Sequence, residues 1–336
     1  MPYRADLISI FVALLDVPSV DLEERQSREL ITAIVAQREV KCANEIAEIE
    51  EVLATTSRMH RAAMRDTKPG KTEQEVVAAI EYEAALDGRQ LAYPTIFSKR
   101  GDILHNLCRN GKLADGDLVL HDGGAMSPEG YASDITRTFP VSGRFSPTQR
   151  DLYQLVLDAQ AAALAVLGPG VKFADAHLRA AAVLSGGLIG LGLLSGTVED
   201  AVATGAYGLF MPHGLGHQFG LDVHDMEALG EDNVGYDANV QRTSENGLGP
   251  LRIGKQLRVG MTVTVEPGFY VVEALIDRWE AERRHSGLVR YDEARKLVGF
   301  GGIRIEDDVV VTRTGARVLG PPIPKSVPEI ENAMAQ

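Results

Sequence analysis

From Ala43 the apolar positions fall at helical spacing, Ile46, Ile49, Leu53, Thr56 and Ala63, and the pattern stops at Pro69-Gly70. Thr72 with Glu75 makes a capping box that opens a second helix running towards Leu86. Ser146-Pro147 offers an N-cap and a proline at the first helical position, and Gly168-Pro169-Gly170 ends that helix. A further helical stretch, rich in Ala, Leu and Gly, runs from Phe173 to about Leu194. Strand patterning lies elsewhere. LVLHD (118–122) and ASDITRTFPVSG (132–143), separated by a polar segment with Pro and Gly, predict a hairpin. GMTVTVEPGFYVV (260–272) and GGIRIEDDVVVT (301–312) predict two more strands on their β-branched content. Residues 273–299 between them are charged and aperiodic, an expected insertion. Helices and hairpins mixed without regular βαβ alternation predict an α+β fold.

With 336 residues and 45% hydrophobic content, the chain can bury a sizeable core and is not of the disordered type. Its formal charge of −13, from 34 basic and 47 acidic residues, is a poor footprint for nucleic acid, and no such partner is expected. Cys42 and Cys108 have no zinc-like spacing and fit a reducing compartment. The apolar run from Leu7 to Leu15, between Asp6 and Asp16, is too short to span a bilayer. It also lacks a strong basic n-region and a cleavage site. A cytoplasmic protein with no membrane partner is expected.

Candidate chemistry begins with MPHGLGHQFGLDVHD (211–225), which holds His213, His217 and His224. A His-x-x-x-His pair suits a helical zinc site, but Pro212, Gly214, Gly216 and Gly220 disfavour a helix interior. The stretch is expected as a loop running into an extended segment, with its partners elsewhere. The predicted strands each carry a carboxylate where burial is costly: Asp122, Asp134, Glu266 and Glu306. Asp134 is expected mid-strand, on one face with Thr136 and Thr138. Each has a simpler reading by itself. A strand-end Asp is most often a turn residue, Glu306 beside Arg304 makes an ion pair, and a lone histidine is more often structural. Together, four carboxylates and one imidazole suggest a hard-metal site such as manganese prefers, and the set suits two ions about 3.5–4 Å apart.

In that order Asp122, Asp134, His217, Glu266 and Glu306 resemble the five-ligand pattern of the pita-bread metallopeptidases. GYASDITRTFPVSGRF, HGLGHQFGLDVHD, TVEPGFY and GGIRIEDDVVVT resemble the motif blocks of aminopeptidase P and prolidase, over roughly residues 35 to 328. The resemblance implies a pita-bread fold: a curved antiparallel sheet covered by helices, with an internal pseudo-two-fold. It implies two divalent cations, manganese foremost with zinc or cobalt as alternatives, and a metal-held hydroxide attacking the bond before proline. Asp134 and Glu306 would bridge the ions, with His217 and Glu266 on one of them. His224 would touch the substrate carbonyl and steady the tetrahedral intermediate. His213 would line the proline pocket, and His105 would lie near the leaving group. Arg304 and Tyr270 would form a relay with Asp122 or only orient the ligands. Tyr93 is a further candidate on the substrate side.

Proline-containing di- or oligopeptides are the implied substrates. Arg252, in GPLRIGKQL, matches an arginine that grips a dipeptide's free carboxylate, which leans towards Xaa-Pro dipeptides. The C-terminal GPPIPKSVPEIE is more like aminopeptidase P, which acts on longer peptides. Methionine aminopeptidase, a creatinase-like C–N hydrolase and a non-catalytic scaffold of this fold fit less well. One departure concerns the N-terminus. Both families carry a sizeable preceding domain, and here residues 1–39 are expected as its remnant linker helix. Residues 40–328 would be the catalytic domain and 329–336 a tail, with a homodimer left open.

Overall fold

The computed structural model describes residues 5–22 and 24–335. Residues 1–4, Glu23 and Gln336, parts of the expected N-terminal remnant and C-terminal tail, lie outside the described residues. The chain opens with α1 (Ala5–Leu15), α2 (Arg28–Arg38), α3 (Ala43–Asp66) and α4 (Glu73–Leu86). Then come β1 (Gln90–Leu91), β2 (Ile96–Ser98), β3 (Leu118–Gly123), β4 (Ala125–Met126) and β5 (Ile135–Pro140). The helices α5 (Pro147–Val166), α6 (Phe173–Gly190), α7 (Val198–Thr204) and α8 (Glu231–Gly235) follow. The last part runs β6 (Thr262–Val265), β7 (Gly268–Tyr270), α9 (Glu273–Ala281), α10 (Tyr291–Arg295) and β8 (Gly302–Arg304). It closes with β9 (Asp307–Thr312), β10 (Gly315–Val318) and α11 (Val327–Met334).

Helices start where side chains satisfy their free N–H groups. Thr72 Oγ1 accepts from Glu75 N at 3.2 Å while Glu75 Oε2 accepts from Thr72 N at 2.7 Å. Ser146 and Gln149 do the same at α5, and Ser326 and Glu329 at α11. That last helix, which includes most of the expected tail, buries Val327, Ile330 and Met334.

β3 pairs antiparallel with β5, Asp122 opposite Thr136, and β2 lies on its other side. β6 pairs with β9, Val265 opposite Asp307, and β10 follows β9. The stretches 260–272 and 301–312 are not single strands. Each breaks in two, β6/β7 at Glu266-Pro267 and β8/β9 at Ile305-Glu306. Pro267 has no N–H to give to a ladder, so the chain must leave the sheet there. Asp134 precedes β5 rather than lying mid-strand, because its N–H donates to Asp308 Oδ2 at 2.9 Å. Backbone and side-chain bonds together close the gap between the sheets. Glu306 N donates to Thr136 O at 3.0 Å, Arg304 N to Thr138 Oγ1 at 3.1 Å, and Arg137 Nη1 to Glu306 O at 2.6 Å.

The two halves repeat each other. After α3, Gly70 N donates to Leu113 O and Leu113 N returns a bond to Lys71 O; after α5, Gly170 N and Leu257 N do the same with Leu257 O and Val171 O. Each helical hairpin, α3–α4 and α5–α6, is thereby pinned to the lead-in of its own strand pair, β3–β5 or β6–β9. One contiguous core joins both, running from Val52, Met59 and Val76 through Val119 and Phe139 to Val156, Phe173, Val263 and Val309. The insertion is more ordered than its charge implies. Residues 273–299 contain α9 and α10, and Ile276, Trp279 and Ala294 turn into the core. Among the described residues no helix is long and apolar enough to cross a membrane.

Candidate active site

The strand ends of both hairpins meet. Asp122 lies near the end of β3, Asp134 just before β5, Glu266 just after β6 and Glu306 just before β9. The pseudo-two-fold therefore places two carboxylates from each half around one point. The fifth group arrives on the loop 211–225, which is irregular as its glycines predict. A Cβ on Gly216 would meet Thr264 O at 2.1 Å, so only glycine lets this loop lie against β6. His217 then docks on the strand, its N–H donating to Thr264 Oγ1 at 3.1 Å and its carbonyl accepting from Thr264 N at 2.9 Å.

Asp134, His217 and Glu306 bring candidate ligand atoms within 4.8 Å of one another. His217 Nε2 stands 3.3 Å from Asp134 Oδ2 and 3.7 Å from Glu266 Oε1. Its Nδ1 donates to Gln218 O at 3.0 Å, a bond that fixes the tautomer and leaves Nε2 for the site. Burial pushes Asp122 up to about 6 and Glu266 up to about 7. Burial and then the charges of Asp134, Glu266 and Asp122 push Glu306 well above the usual carboxylate range. Burial opposes charge on His217 too, yet Asp134 and Glu266 hold it up at about 9. Such a buried anionic cluster calls for a cation. Tyr93 stands among these groups, its hydroxyl oxygen 2.5 Å from both Asp122 Oδ1 and Asp134 Oδ1, rather than on the open pocket wall.

Arg304, Tyr270 and Asp122 are brought together as expected. Arg304 Nη2 donates to Asp122 Oδ2 at 2.5 Å, Nη1 to Tyr270 Oη at 3.1 Å and Nε to Thr136 Oγ1 at 3.1 Å. Thr136 in turn donates to Glu306 Oε2 at 2.6 Å. Arg304 thus pairs with Asp122, not with Glu306. The chain extends one step beyond expectation, because His213 Nε2 lies 2.9 Å from Tyr270 Oη. Burial drives the His213 imidazole down to about 3, which keeps it neutral on the pocket wall.

A cavity of about 410 Å³ opens above the carboxylates, and His105, His213, His224, Arg252, Glu231 and Arg242 line it. The His224 ring stacks on that of His217 at 3.8 Å, so the two histidines share one wall. Sequence reasoning missed Glu227. Its buried carboxylate lies 3.1 Å from His224 Nδ1 and accepts from Arg252 Nη1 at 2.6 Å. Arg252 Nη1 also donates to Glu231 Oε1 at 2.9 Å, and Glu231 pairs with Arg242. Asp308, which receives the Asp134 amide, was missed as well, although the doubled acid of IEDD was its signal.

Fold and site together define a pita-bread architecture around a buried, carboxylate-rich cluster that could hold metal. The model of Metallopeptidase family M24 matches residues 47–313, and the chain belongs to that family, in its aminopeptidase P and prolidase branch. It is 35% identical to the Xaa-Pro dipeptidase of Homo sapiens over 312 residues, 90% of this chain and 61% of that protein. It is 35% identical to the Xaa-Pro aminopeptidase of Haemophilus influenzae over 300 residues, 88% of this chain and 61% of that protein. Zinc-substituted Escherichia coli aminopeptidase P in complex with product superposes with a TM-score of 0.72 at 34% identity, covering 89% of this chain and 60% of that one. The chain spans about six tenths of the length of the curated relatives it matches.

Proposed function

We propose that the chain is a two-metal Xaa-Pro peptidase that hydrolyses the bond between an N-terminal residue and proline. One observation carries the reading: four carboxylates and one imidazole converge beneath a pocket walled by His105, His213, His224 and Arg252. The donor set is oxygen-rich with a single oriented imidazole, which fits hard divalent ions. Asp122, Asp134, His217, Glu266 and Glu306 would hold them. Manganese is the proposed occupant, with zinc or cobalt able to replace it. When bound, the ions polarise the scissile carbonyl and make a water nucleophilic near neutral pH. The chain's own residues do the rest. His224 steadies the oxyanion, His213 lines the proline ring, and His105 stands by the leaving group. Arg304 and Tyr270 keep Asp122 and His213 in place.

Arg252 supports Xaa-Pro dipeptides as the preferred substrates, since a free carboxylate this deep needs a cationic partner. A second reading, removal of the first residue from longer peptides, is favoured by the pairing of Arg252 with both Glu227 and Glu231, which already compensates its charge. The two free, exposed cysteines support a cytoplasmic site of action. The test is the rate on a Xaa-Pro dipeptide and on a longer Xaa-Pro peptide, with manganese, zinc and cobalt each supplied. Faster turnover of the dipeptide is expected. Faster turnover of the longer peptide would establish the second reading, and no turnover of either with metal bound would leave only a scaffold.

A further inference from the structure

Helix α2, in the N-terminal segment expected as a remnant, packs on the loop that carries His224. Ile31 and Val35 of α2 pack against Met226, Leu229 and Val234. At the end of that helix Arg38 Nη2 donates to Asp225 Oδ1 at 2.5 Å and to Asp222 Oδ2 at 3.0 Å. Lys41 Nζ donates to Asp225 Oδ2 at 2.8 Å, and the Lys41 and Asp225 side chains are only 2% and 1% exposed. The Lys41 backbone is itself anchored, its N–H donating to Gly260 O at 2.8 Å. Asp225 stands between His224 and Met226, and Met226 takes φ +63°, a left-handed conformation that a side-chain-bearing residue holds only when its surroundings impose it. One residue further, Glu227 contacts both His224 and Arg252.

We propose that Arg38 and Lys41 are positioning residues for the active site: they clamp Asp225 and so hold the strained turn that presents His224 and Glu227 to the pocket. Two cations share one buried carboxylate, and the backbone of one of them is tied to the lead-in of β6. Loss of either leaves Asp225 under-compensated in a buried setting, and the turn loses the contacts that impose its φ. The proposal rests on the reading of His224 as a substrate-facing group.

The test uses the full chain with R38Q and K41M, read by amide hydrogen exchange and by steady-state kinetics. Exchange at Asp225, Glu227 and Leu229 should quicken by about tenfold or more while amides of β3 and β5 stay as in the wild type. On a Xaa-Pro peptide, R38Q should lower kcat by about tenfold, as loss of an orienting partner commonly does, and R38K should recover part of it. In a His224→Ala background the same R38Q change should cost less than about twofold, because coupled residues do not add. Unchanged exchange in both variants, or an equal fall in both backgrounds, would overturn the proposal. Arg38 is partly exposed, so R38Q carries the test should K41M fail to fold. If the wild type cleaves no Xaa-Pro peptide, the proposed function fails and the exchange result alone judges the clamp.

Discussion

Glu227 serves two walls of one pocket: a single buried carboxylate lies 3.1 Å from an imidazole nitrogen and compensates a guanidinium. Glu227→Gln should keep the shape and lose the charge, and kcat on Xaa-Pro substrates should fall by about tenfold; an unchanged kcat in steady-state assays would remove its orienting role. Arg252→Ala should raise KM for a Xaa-Pro dipeptide by about tenfold or more, the scale of a charge-assisted hydrogen bond, with little change for a tripeptide. Equal effects on both would end the argument for dipeptides. The carboxylates were legible because Asp122 and Glu266 interrupt apolar strands, where an acid has no structural reason to be. Glu227 was not, because its charge lies in an ordinary polar loop and Arg252 is 25 residues away in sequence.

Among the elements, α4 and α5 could be read from their caps, α3 from its apolar spacing, and the α+β class from hairpins without crossovers. The strand breaks at Pro267 and Glu306 were harder, since β-branched residues continue on both sides of each. Those breaks set the site, because they turn Glu266 and Glu306 out of their ladders. Gly216→Ala should push the loop off Thr264, and loss of metal affinity measured by calorimetry should accompany it; an alanine variant that binds metal as the wild type does would contradict the docking described. The helix α6 carries a pH signature. Burial lowers His177 from 6.5 to about 4. Above pH 6.5 the residue is neutral whether folded or unfolded. As the pH falls from 6.5 to 4 the unfolded chain takes a proton that the folded chain refuses, so stability drops over that window. Below it no further loss comes from this residue. Urea unfolding at pH 8 and pH 4 should show His177→Gln losing about 3 kcal/mol less than the wild type between the two. An identical difference in both proteins would show that His177 is not the group responsible.

At the scale of the whole molecule, the pseudo-two-fold explains why four acids from distant parts of the chain meet: each helical hairpin seats one strand pair, and each strand pair contributes two carboxylates. Family motifs make this architecture legible in the sequence itself. The role of the N-terminal segment is not, since Arg38 meets Asp225 across 187 residues, and no local pattern announces such a pair. The central claim is that the converging acids hold two divalent ions on which Xaa-Pro hydrolysis depends. Bound metal and turnover, measured on the same samples of wild type and Asp134→Asn, test it most directly. The wild type should carry two ions per chain and lose activity when a chelator strips them, while the variant should lose at least one ion and its activity. An Asp134→Asn protein that stays metal-replete and fully active, or a stripped wild type that still cleaves Xaa-Pro peptides, would contradict the account.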